Sequence, residues 1–105
     1  MSYQVFPKYK GDPVILVYRL ASDDGKVQLS SKELILPADT WFTYDWMMEK
    51  LYNFIEKIVK PSGYYKVGEC ILLYRKFSDR EVADYGYIDT AFEVWAIKED
   101  GLEQL

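Results

Sequence analysis

The sequence predicts an α+β fold, a two-layer sandwich of the order β-β-α-β-β. A mainly antiparallel sheet of four to five strands carries one long helix across one face. Three observations predict it. A sustained 3.6-residue apolar period occurs in one stretch only, 43–60. Three other stretches are rich in β-branched and aromatic residues, with the short periods of strands. An Asp-Gly turn signal follows the first of them. At 105 residues the chain has the length of one domain. It reads as a single unit, 1–105, with an N-terminal arm at 1–12 and a frayed tail at 99–105.

Val14 to Ala21 (VILVYRLA) is apolar on both parities, which predicts a central strand buried on both faces. Asp23, Asp24 and Gly25 then predict a tight turn, and 27–36 should pair back antiparallel. Its apolar parity flips at Ser30 and Ser31, which predicts a bulge or bend there. Thr43 is a good N-cap for the helix. Phe42 and Met47 sit at hydrophobic-staple positions, and Asp45 suits the first turn. An alternative start at Asp39 would add a turn. The apolar stripe is Tyr44, Met47, Met48, Leu51, Ile55, Ile58 and Val59, with Asp45, Glu49, Asn53, Glu56 and Lys60 opposite. Glu56 and Lys60 are spaced for an ion pair, and Pro61 with Gly63 ends the helix. Residues 64–77 read as a second two-faced strand, 78–84 as a charged loop and 85–98 as a third strand. Tyr3 to Phe6 could add an edge strand that Pro7 keeps short.

Composition excludes more than it identifies. The chain has no histidine, so His-based triads, His general bases and the usual zinc sites are ruled out. One cysteine rules out an internal disulfide framework. Cys70 lies in an apolar run, which predicts a buried, unreactive thiol and a reducing compartment. Residues 1–11 lack the apolar core of a signal peptide, and no stretch approaches the ~20 apolar residues of a membrane span. The expected location is the cytoplasm, or a host's cytoplasm if the gene is viral. No glycine-rich phosphate loop or dinucleotide fingerprint is present, so no cofactor and no metal are expected. The carboxylate groups Asp23 with Asp24, and Asp79 with Glu81 and Asp84, fall in expected turns, where acids are ordinary. The protein is therefore not expected to be an enzyme.

Charge is placed unevenly. Residues 1–77 hold 11 bases against 9 acids, whereas 78–105 hold two bases (Arg80, Lys98) against eight acids. An acidic end repels phosphate backbones and favours a basic partner. Aromatic residues make up 17% of the chain: 3 Trp, 10 Tyr and 5 Phe. A small core has limited room for so many.

The candidate site follows from cover. One helix shields one face of a sheet, yet two strands are apolar on both faces. Alternation over 85–98 assigns Ile88, Thr90, Phe92, Val94 and Ala96 to the core. It leaves Tyr85, Tyr87, Asp89, Ala91, Glu93, Trp95 and Ile97 on the opposite, uncovered face. An exposed apolar face of this kind marks a contact. Tyr85, Tyr87 and Trp95 are the expected anchors, with Asp89 and Glu93 steering a basic partner. Trp46 falls on the polar side of the helix and is a further candidate, unless it packs over the loop entering the helix.

These residues point to a small acidic protein-binding module, an inhibitor or adaptor that docks on a basic surface of another protein, such as a nucleic-acid channel. The alternatives are a homodimeric scaffold using the same face and a single-strand nucleic-acid binder. For the last, Lys8, Lys10, Lys66, Arg75 and Lys76 would track phosphates, against the negative net charge. In size and charge the chain resembles small acidic inhibitors and immunity proteins. In size and aromatic content it resembles small viral and phage proteins. That resemblance covers no motif and implies no site residue.

Overall fold

A computed structural model describes residues 7–38 and 43–105. Its strands are β1 (Val14–Ala21), β2 (Val27–Ser30), β3 (Leu34–Leu36), β4 (Cys70–Lys76), β5 (Asp89–Lys98) and β6 (Gly101–Gln104). They form one open antiparallel sheet in the order β2-β1-β4-β5-β6, with β3 also paired to β1. The two strands that are apolar on both parities, β1 and β4, lie side by side in the middle. Central position is what a two-faced apolar strand requires.

The turn after β1 closes at Gly25, whose φ of 83° suits a residue without a Cβ. Asp24 accepts the Lys26 N–H and the Ser22 hydroxyl, and these hydrogen bonds hold its carboxyl below the usual range. The parity flip at Ser30 and Ser31 is a break between two short strands. The Ser31 hydroxyl accepts the Tyr18 N–H at 3.0 Å, and the Ser31 N–H donates to the Tyr18 carbonyl at 2.8 Å. A side chain thus fills a ladder position while the backbone bends.

The helix α1 (Tyr44–Phe54) is capped by Thr43, whose hydroxyl accepts the Trp46 N–H at 3.1 Å. It runs on through a π-helical turn, Ile55–Val59, into a last turn, Lys60–Ser62. Gly63 closes it in the left-handed conformation, and Glu56 pairs with Lys60 at 2.7 Å. Met47, Leu51, Phe54, Ile55 and Val59 are buried against Val14, Leu16, Tyr18, Leu20, Ile71, Leu73, Trp95 and Ile97. The Tyr18 hydroxyl donates to the Met47 carbonyl at 2.9 Å and ties sheet to helix. The proposed staple residue Phe42, the alternative start at Asp39 and the proposed strand over 3–6 lie outside the described residues.

Three expectations are corrected. Residues 64–69 are turn and coil, and the strand starts at Cys70. The expected loop at 78–84 is a second helix, α2 (Asp79–Tyr85), with a capping box formed by Ser78 and Glu81. The expected frayed tail forms β6, an edge strand held by the β5 ladder, with Leu102 packed on the core.

Candidate functional site

The geometry of β5 decides where the sequence-predicted site residues go. Leu73 pairs with Glu93, but Tyr74 pairs with Ala91, so Phe92 is an extra residue in the strand. Directly paired residues share a face, and a bulge shifts the alternation by one. Beyond the bulge, Glu93, Trp95 and Ile97 point the same way as Leu73 and Ile71, under α1. Before it, Asp89 and Ala91 point the same way as Lys76 and Tyr74, away from α1.

The predicted aromatic and acidic face is therefore divided. Trp95 is 7% exposed and belongs to the core, and Glu93 is 5% exposed. The Trp95 indole N–H donates to Glu93 Oε1, while Glu93 Oε2 is buried with no partner among the described residues. The assignment of Glu93, Trp95 and Ile97 to an uncovered face is corrected, because the bulge turns all three inward. The assignment of Ile88, Val94 and Ala96 to the core face is corrected as well: Ile88 is 64% exposed, and Val94 and Ala96 pair with Leu72 and Cys70 on the face away from α1. Asp89 does lie on the second face, paired with Arg19 at 3.0 Å. Trp46 is half-buried, packs against the core and lies 5.6 Å from Lys50 Nζ.

Tyr85 and Tyr87 keep their exposure but are not strand residues. Tyr85 ends α2, Gly86 makes the left-handed cap at φ 83°, and Tyr87 follows in the turn before β5. Their rings stack at 5.9 Å, and both lie against Phe77, at 5.0 and 5.3 Å. The Phe77 N–H donates to the Ile88 carbonyl at 2.9 Å. Phe77, Tyr85, Tyr87 and Ile88 thus form one partly exposed apolar end of the sheet.

This end is held by charge. Arg75 meets Glu81 through two bonds, of 3.0 and 2.5 Å, and Glu81 is 1% exposed. Glu81 also accepts the N–H groups of Lys8, at 2.9 Å, and Ser78, at 3.1 Å. One buried carboxylate so joins β4, the cap of α2 and the arm. Nearer solvent, Asp84 accepts from the Tyr9 hydroxyl and the Lys8 ammonium, which hold its carboxyl below the usual range. The same contact pushes the Tyr9 hydroxyl and Lys8 ammonium up. Arg80 pairs with Asp12 at 2.9 Å and lowers its carboxyl. The only sequence signal for this assembly is Ser78-x-x-Glu81, which reads as a capping box once Asp79 is allowed to open a helix.

The second face is partly covered by long side chains of its own. Val17, Ala21 and Ala96 are buried there, outside the cluster beneath α1. The Arg19 guanidinium lies 4.4 Å from the Tyr74 ring centroid, and Lys76 pairs with Glu33 at 2.7 Å.

Most of the bases that a nucleic-acid reading requires are engaged. Arg75 is buried against Glu81, and Lys76 and Lys8 pair with Glu33 and Asp84, leaving Lys10 and Lys66 exposed. Among the described residues no group of three or more Cys, Asp or Glu could hold a metal ion, and no helix is long and apolar enough to cross a membrane. No protein-family model matches the chain, and no curated protein or solved structure matches it at a significant level.

Proposed function

We propose that this is a small, acidic, non-enzymatic protein-binding module, an inhibitor or adaptor that docks on a basic surface of another protein. The observation that carries the reading is the apolar end formed by Tyr85, Tyr87 and Ile88. Tyr87 is 53% exposed, yet its ring is held by Phe77 and Tyr85. Rigid tyrosines supply contact area at low entropic cost, which makes good anchors. Asp79 is exposed at the start of α2, the helix that Tyr85 ends, and would steer a basic partner toward this end.

The test is calorimetry and stopped-flow kinetics against the partner recovered by affinity pull-down from host lysate. Tyr87→Ala with Ile88→Ser should weaken binding about tenfold or more, a loss of about 1.4 kcal/mol or more, without lowering the melting temperature. Unchanged affinity in that double variant removes this end as the docking site.

A second reading, self-association through the second sheet face, has one observation in its favour. Ile35 is 61% exposed beside Ile15 on that face.

A further inference from the structure

A cleft of about 250 Å³ opens between α1 and the β1–β3 edge of the sheet. Its apolar walls are Tyr18, Leu34, Phe54 and Ile58. The Tyr18 and Phe54 rings are stacked at 5.9 Å, and the Tyr18 hydroxyl is tied to the Met47 carbonyl. The cleft is therefore shaped by the fold itself and held open by packed rings.

Its rim has the opposite sign to the protein as a whole. Lys32, Lys50 and Lys57 all line it, and the formal net charge of the chain is −4. Lys50 lies on α1 and Lys57 on the π-helical turn that follows it, and both line the cleft. Lys32 comes from the segment between β2 and β3, so lysines are supplied from both sides of the opening. Among the described residues none of the three enters an ion pair, whereas Lys8, Lys60 and Lys76 each do. Three like charges around an apolar hollow repel one another, and an arriving anion relieves that repulsion.

Size narrows the occupant. Sites for whole drug-sized molecules and cofactors run from about 300 to 1,000 Å³. This cleft is smaller and suits one bulky side chain, the usual way a peptide anchors in a pocket. We infer that it receives an acidic peptide segment of a partner protein. One phenylalanine- or leucine-sized side chain enters between Leu34 of the sheet edge and the helix residues Phe54 and Ile58, and flanking carboxylates meet Lys32, Lys50 and Lys57. The cleft shares no residue with the Tyr85–Tyr87 end, so the two readings stand or fall separately.

The probe is a fluorescein-labelled pentapeptide with a central phenylalanine and two glutamates on each side, titrated into the full chain by anisotropy. Saturable binding is expected. It should weaken about tenfold or more, or by about 1.4 kcal/mol, in Lys50→Glu with Lys57→Glu. It should also weaken when the central residue is alanine, and vanish when the flanks are lysine. Glutamate is a good helix former, so the charge-reversed helix should stay folded. Amide shifts at Leu34 and Ile58 in the unmodified protein give a readout independent of any variant. Absence of saturable binding, or equal binding by the alanine peptide or the charge-reversed variant, overturns the inference. So does binding of decanoate with none of the peptide, which would mark a site for small amphiphiles.

Discussion

Trp95 and Glu93 form a buried polar pair that owes its position to one extra residue, Phe92. A buried carboxyl needs hydrogen-bond partners, and the Trp95 indole N–H is the one partner that Glu93 has among the described residues. Truncating Trp95 would remove a large core side chain and take that donor from Glu93 at the same time. Trp95→Ala should therefore destabilise the fold by about 3–5 kcal/mol. Urea unfolding would read this as a lower midpoint with an unchanged slope. Any loss of partner binding in this variant should follow the loss of folded protein. Full stability with weakened binding would instead place Trp95 at the contact.

At the scale of elements, the arm and α2 form a unit held by carboxylates. Asp84 and Asp12 lie below their ordinary value of 3.8 because the Tyr9 hydroxyl, with Lys8, and the Arg80 guanidinium favour their charged forms. A carboxyl lowered by folding contributes stability above its unfolded value and loses it as pH falls through its folded value. Lys8 and Tyr9 are raised above 10.5 and 10.0, so their contributions hold below those values and are lost as pH rises past the folded ones. The contact should thus persist between roughly pH 4 and pH 10 and loosen on either side. Tyr9 ring resonances should move toward those of a free tyrosine as pH drops from about 4 to 2. Resonances that stay in place over that range would show that the carboxylates do not hold the arm.

For the whole molecule, the question is what shields the second side of the sheet. Arg19 over Tyr74, the Arg19–Asp89 pair and the Lys76–Glu33 pair cover much of it with the chain's own amphipathic groups. Ile35 remains 61% exposed at its edge. Light scattering at micromolar concentration decides between cover and self-association. A monomer is expected, because these groups cover much of the face. A dimer abolished by Ile35→Lys would make the face an interface between copies.

The sequence by itself determined the α+β class, the turn at Gly25, the break at Ser31, the Thr43 cap and the central place of β1 and β4. Each rests on a local signal, a side chain acting on its own backbone or an apolar run that must be buried. The tertiary structure decided the strand order, the split of β5 into two opposed faces, and the gathering of the Arg75 guanidinium and the Lys8 backbone N–H around the buried Glu81 carboxylate. The bulge at Phe92 exists only in the pairing of β5 with β4, and alternation along one strand carries no trace of it. The cleft is likewise shared between residues as distant as Lys32 and Lys57, so it comes into being only when helix and sheet pack together.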